Sequence, residues 1–290
     1  MTGVVWGLLG ATFIGVSDCV ARVTAQRVSM ALLLAAVMGT STLAVGGWII
    51  ATDDWPQWHA YGWAASAVSG LLNLLALVLL YTALVRGPVS VASPAASSFS
   101  VILVVLNALT GAPFVWAQGV AIALVFVGIV MLARRDDGRD QYDARHLRIT
   151  LLFGLAAALV VALRMFLAQD AGDILGPMPA LFLNRAFAFA GVLLLILLEV
   201  LRARPQRWPQ GVTLWLVMVQ AALETLALAS FLIGSADAGR IGASNGFSSF
   251  AAITALAAWI WLGAPIGWRR AYWRLVVALG IAFAIAVAPT

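Results

Sequence analysis

Apolar residues run along most of this chain in blocks of about twenty, the length a helix needs to cross the hydrocarbon core of a bilayer. Short clusters of Arg, Asp, Pro and Gly separate the blocks. Ten blocks are read as transmembrane helices. The first five are Val4–Ala21, Met30–Ala51, Tyr61–Leu84, Val89–Leu109 and Trp116–Ala133. The second five are Ile149–Ala168, Pro179–Leu201, Val212–Ile233, Ile241–Leu262 and Trp273–Ala288. One long charged run, from Arg134 to Arg148, lies between the two sets and reads as a linker. The predicted organisation is a first five-helix repeat over residues 1–133, a charged cytoplasmic linker over 134–148, and a second five-helix repeat over 149–290.

The two sets echo each other. With Gly87 laid over Gly239, Gly111-Ala112-Pro113 falls on Gly263-Ala264-Pro265 and Trp116 on Trp268. Farther out, Trp63 meets Trp215, and Val125, Gly128 and Ile129 meet Val277, Gly280 and Ile281. A local slip of one residue sets Ala92 to Phe99 against Ala243 to Phe250, pairing Ser98 with Ser249. The chain is therefore read as an internal duplication. Five helices per copy is an odd number, so the second copy enters the membrane from the opposite side. The expected fold is an all-α integral membrane protein whose ten helices form two inverted repeats. Transporters built this way place the substrate near the midplane, between the repeats.

Composition supports the membrane reading and changes the meaning of the charge. The 290 residues are 63% hydrophobic and 10% charged, with mean hydropathy +1.01, where a soluble domain carries about 25% charged residues. The net charge of +5 comes entirely from Arg and is confined largely to loops, which makes it a topology signal and argues against nucleic-acid binding. Arg22, Arg27, Arg86, Arg134, Arg135, Arg139, Arg145, Arg148, Arg202, Arg204, Arg207, Arg269, Arg270 and Arg274 fall on one side. The other side holds Arg240 with Asp53, Asp54, Asp170, Asp173 and Asp237. By the positive-inside rule both termini are expected outside the cytoplasm, in a multi-pass protein of a bacterial cytoplasmic (inner) membrane. No basic region precedes the first apolar block, which is therefore read as a retained helix rather than a cleaved signal. Cys19 is the sole cysteine, so no intrachain disulfide forms.

Ten helices as five plus five inverted, a short loop after helices four and nine, and a glycine in each last helix (Gly128 and Gly280) resemble the EamA-type branch of the drug/metabolite transporter superfamily. The resemblance spans essentially the whole chain and implies a membrane transporter. That family commonly carries a Gly-Glu pair in the loop; this chain has Gly111-Ala112 and Gly263-Ala264 instead. It also keeps its termini in the cytoplasm, the reverse of what the Arg pattern here predicts.

Charged residues inside apolar blocks are the main functional candidates, since each costs about 2.5–3.5 kcal/mol at a helix centre on insertion scales. Glu224, at the middle of the eighth block, can bind a cationic group, carry a proton, or neutralise a buried Arg. Arg164 and Arg185, in the sixth and seventh, can clamp a carboxylate bidentately or serve as static partners of Glu224, Asp170 or Asp173. Asp18 and Arg22 share a helical face and read either as an interfacial pair or as one of two gates, with Arg164 at the other. Asn73 stands at the repeat position of Thr225, level with Glu224. Ser93, Ser97 and Asn245 sit where Pro94 and Gly246 can interrupt the fourth and ninth helices and expose backbone to a substrate.

No phosphate loop, paired His, Ser-His-Asp set or cofactor motif is found. The favoured function is a secondary active transporter of a small polar or amphipathic metabolite, an amino-acid-like carboxylate by preference, working by alternating access and driven by a proton gradient or a substrate antiport gradient. Two rivals stand beside it, a multidrug or hydrophobic-cation exporter and an intramembrane lipid flippase or lipid-modifying enzyme. The expected partners are the solute, protons and the bilayer, and the expected assembly is a monomer or homodimer.

Overall fold

A helix satisfies all its backbone hydrogen bonds internally, so in lipid a long apolar segment adopts it by necessity. The computed structural model describes residues 2–86, 91–92, 95–96, 98–109, 143–202, 208–236, 240–247 and 249–250, with positions 116, 120, 127, 253, 254, 257, 261, 272, 273, 275, 276, 279 and 283. Among the described residues every element is a helix: α1 Thr2–Arg27, α2 Met30–Thr52, α3 Ala60–Arg86, α4 Phe99–Leu109, α5 Ala144–Leu175, α6 Pro177–Leu201, α7 Val212–Ser235 and α8 Arg240–Phe247. Six of them, α1, α2, α3, α5, α6 and α7, are long and apolar enough to cross a membrane. Large apolar side chains such as Leu43, Ile50, Leu152 and Leu194 point outward, as helices in lipid require.

The helices overrun the apolar blocks at their charged ends. α5 starts at Ala144, within the predicted linker, so Arg145 and Arg148 lie on its first turns. Arg stems cover apolar surface while their heads reach water, which lets a helix continue past the hydrocarbon. Most of the linker, and most of the predicted fifth and tenth helices, lie outside the described residues. α5 and α6 join at Gly176, whose φ of 89° is open to glycine and strained for other residues, and Pro177 then opens α6.

Packing sorts the helices into two units that cut across the sequence repeats. α1 lies against α7 and α8, and α3 against α5, which also packs on α4. α2 and α6 face each other and tie the units together, α2 to α7 and α6 to α3. Exchange of the two halves of the chain turns α1 with α7 into α5 with α3, α1 with α8 into α5 with α4 and α2 with α7 into α6 with α3, and leaves α2 with α6 unchanged.

Two tight turns follow the same correspondence. Ser98 N–H bonds to the Ala95 carbonyl at 3.3 Å, and Ser249 N–H to the Gly246 carbonyl at 3.2 Å, one tight turn at each of two aligned places. The residues that follow, Phe99 and Phe250, meet with ring centroids 5.7 Å apart, and Phe247 packs on both. Close helix approach depends on small residues, as is usual in membranes. A Cβ at Gly7 would run into the Ala243 carbonyl between α1 and α8, and one at Gly70 into the Asn184 carbonyl between α3 and α6.

Candidate functional site

Polar side chains in a membrane interior must find partners, and here they gather around α7. Its Glu224, 4% exposed, accepts a bond at Oε1 from the Tyr81 hydroxyl of α3 at 2.8 Å. Gln220, one turn earlier, donates through Nε2 to the same oxygen at 3.3 Å and to the Tyr81 hydroxyl at 2.5 Å. Thr24 of α1 donates to Gln220 Oε1 at 2.7 Å. Tyr81 and Gln220 thus hold one carboxylate oxygen directly, and Thr24 of a third helix holds Gln220.

Arg185, on α6 and 2% exposed, reaches the same level by another route. Its Nη2 donates to the backbone carbonyl of Glu224 at 3.1 Å and its Nη1 meets Met38 Sδ at 3.3 Å. Asn73 Nδ2 turns to the same sulfur at 3.6 Å, so Asn73 and Arg185 converge on Met38. The guanidinium is therefore held beside Glu224 without a direct ion pair to its carboxylate. Thr225, the repeat mate of Asn73, donates to Ser41 Oγ at 2.7 Å and braces α7 against α2.

Arg164 is different. Its backbone carbonyl accepts from Ser69 Oγ at 2.8 Å, and Asn184 Nδ2 donates to that hydroxyl at 2.8 Å, so α3, α5 and α6 are pinned together at its base. Its side chain lies within electrostatic reach of Arg185 and Glu224. Its Nε and Nη1 are nevertheless buried with no hydrogen-bond partner among the described residues.

Asp18 is buried on α1 and lies within electrostatic reach of Glu224. It accepts from Thr254 Oγ1 at 3.5 Å, and the sequence-predicted pairing with Arg22 does not form. Asp18, Arg164 and Arg185, singled out from sequence, thus each lie within electrostatic reach of Glu224. Asn73 joins through Met38. Asn245 lies on α8, with its side chain outside the described residues, as are Ser93 and Ser97 altogether. Tyr81, Gln220, Thr24, Asn184 and Ser69 were not singled out. Only the Gln220 and Glu224 spacing of one helical turn could have drawn attention to any of them.

Two sets of bonds flank this cluster and join the same two packing units. On the Arg-rich side, Tyr81 of α3 holds Gln220 and Glu224 of α7. On the other, Gln169 of α5 donates to Ser244 of α8 at 3.0 Å and to Ser235 of α7 at 3.4 Å. Among the described residues, no group of three or more His, Cys, Asp or Glu is arranged to hold a metal ion.

Comparison with known proteins bears on the fold and the family. No curated protein matches the sequence. A solved crystal structure superposes with a TM-score of 0.69 at 18% identity, covering 98% of this chain and 97% of that chain, a likeness of fold alone. Residues 1–134 match the model of the EamA-like transporter family, which points to a multi-pass membrane transporter and agrees with the EamA branch of the drug/metabolite transporter superfamily that the repeat motifs resemble.

Proposed function

We propose that the protein is a secondary active transporter of a small polar metabolite bearing a carboxylate, working by alternating access. The carrying observation is the charged cluster of Glu224, Arg185, Arg164 and Asp18, bracketed by two sets of bonds between the same two packing units. Breaking the Tyr81 bonds would open the cluster to the Arg-rich side, and breaking the Gln169 bonds would open it to the other. Substrate at the cluster would bias which set is intact, since a ligand shifts an equilibrium only by binding its states differently.

The ten-helix inverted repeat belongs to this reading, with boundaries at 1–133, 134–148 and 149–290. It is supported by the helix contacts that exchange when the halves are exchanged, and by the aligned turns before Phe99 and Phe250. A bacterial inner membrane, termini outside the cytoplasm and a monomer or homodimer complete it, on the Arg distribution. The neighbouring carboxylates Asp18 and Glu224 make exchange of a proton for a substrate ammonium chemically available, which supports proton coupling. Ser93, Ser97 and Asn245 remain proposed backbone-exposing contacts.

A hydrophobic-cation exporter would use Glu224 alone, and two guanidinium groups beside it disfavour a purely cationic ligand. The test is uptake into proteoliposomes under an imposed pH gradient, comparing amino acids with their methyl esters and decarboxylated amines. Concentrative uptake of the acids alone is expected. Uptake of the amines at equal rate would give precedence to the cation exporter. Scrambling of labelled lipid with no solute movement would favour the flippase.

A further inference from the structure

We propose that Arg164 is the anion ligand of the cluster, taking the substrate carboxylate, and that Arg185 is a positioning residue. The proposal rests on the transporter reading for its setting but divides labour within the site in a way that reading does not require. The two residues are alike in type; Arg185 is buried, Arg164 is half-buried with Nε and Nη1 out of solvent, and their bonding differs. Arg185 has both terminal nitrogens committed, to the Glu224 carbonyl and to Met38 Sδ, and only Nε lacks a partner. It fixes the height of α7 against α6, and with it the position of Glu224.

Arg164 has a clamped base and an uncommitted head. Ser69 and Asn184 hold its backbone, and neither touches the guanidinium. Gly70 makes this clamp possible, because only a residue without a Cβ lets α3 come against the Asn184 backbone at that level. A guanidinium keeps its charge, and one left unpaired away from water requires an anion. Within the site, Glu224 directs Oε1 at Tyr81 and Gln220, and forms no ion pair with Arg164 among the described residues. A carboxylate entering beside Arg164 would meet unused N–H groups, while the other Glu224 oxygen, Oε2, accepts no bond from a described residue and faces an ammonium on the same ligand.

The experiment uses the intact protein in lipid nanodiscs, modified with phenylglyoxal and mapped by peptide mass spectrometry. Arg164 is expected to react at least tenfold faster than Arg185, because a guanidinium held by two partners must first release them. Sodium 4-methylpentanoate and L-leucine should each slow modification of Arg164, and 3-methylbutylamine should not. Arg164→Lys keeps the charge but loses the fork geometry, and should weaken the affinity for 4-methylpentanoate, read as a thermal shift, by about tenfold or more. Arg164→Gln should leave the thermal midpoint of the ligand-free protein unchanged or raised, whereas Arg185→Gln should lower it. Faster reaction at Arg185, equal protection by the amine, or no protection by either carboxylate would overturn the assignment. These readouts need no gradient, so a protein that binds carboxylate at Arg164 and moves nothing would sink the transporter reading and leave this one standing.

Discussion

Removing one oxygen atom tests how the two packing units are held together on the Arg-rich side. Tyr81→Phe deletes the hydroxyl that donates to Glu224 Oε1 at 2.8 Å and accepts from Gln220 Nε2 at 2.5 Å, and it leaves the buried ring in place. A hydrogen bond to a charged group is worth about 1.5–3 kcal/mol in soluble proteins. Inside membranes the average is about 0.6 and the maximum about 1.7 kcal/mol, because the competing state finds partners too. The membrane figures apply here, since opening the contact would let Glu224 and Gln220 turn to other groups, and Gln220 Nε2 keeps its bond to Glu224 at 3.3 Å in either case. Two bonds of this kind give about 1.5 kcal/mol, or roughly tenfold in the opening equilibrium. The reporter is Val217→Cys in a Cys19→Ser background, a fully buried position on α7 one turn before Gln220. Where opening is fast relative to reaction, maleimide labelling follows the population of the open form, so Tyr81→Phe should label about tenfold faster than its parent. An unchanged rate in a normally folded protein would show that Tyr81 does not hold the units together, and the gating argument would fail on that side.

The other side offers a mirror experiment: Gln169→Leu removes the bonds to Ser235 and Ser244 and should speed labelling of a cysteine placed at buried Leu232, with no effect at Val217. Gly70→Ala would press a methyl group into the Asn184 backbone and should destabilise the protein by about 1–3 kcal/mol, read as a lowered midpoint on thermal unfolding. Glu224→Gln preserves shape and removes the titratable group; uptake driven by a pH gradient should disappear, and uptake that persists would end the case for proton coupling through this residue. A reporter fused to the C-terminus and active only in the cytoplasm should stay silent, and a bright signal would reverse the topology.

Much of this site was legible because charge inside an apolar block is conspicuous. Glu224, Arg164, Arg185 and Asp18 could each be picked out from the neighbours they interrupt, and the other three lie within electrostatic reach of Glu224. Their partners were not legible. Tyr81, Thr24 and Ser69 are ordinary in amphipathic surroundings, and what makes them matter is contact across more than ninety residues of chain. Asp18 shows the limit of helical spacing: Arg22 shares its face, yet the buried carboxylate accepts from Thr254, far along the sequence. α5 begins ahead of its apolar block for a related reason, since a hydropathy pattern marks where hydrocarbon ends and a helix can continue past it.

The exchange of helices between the two packing units bears on which ligands such a site can serve. Arg164 belongs to α5, in the unit built with α3 and α4, and Glu224 belongs to α7, in the unit built with α1 and α8. A ligand with a carboxylate alone would engage the first unit, and one with an ammonium alone would engage the second. A molecule carrying both bridges them, beside the connection that Tyr81 makes from α3 to the same Glu224. Binding energy spent across that boundary differs between the open and closed arrangements, which is the condition for a solute to drive the change between them. A solute that touches one unit has no such leverage, however tightly it binds. Selectivity and coupling then have one origin, the placement of opposite charges on separately packed helices, which follows from α1 packing with α7 and α8 and α5 with α3 and α4.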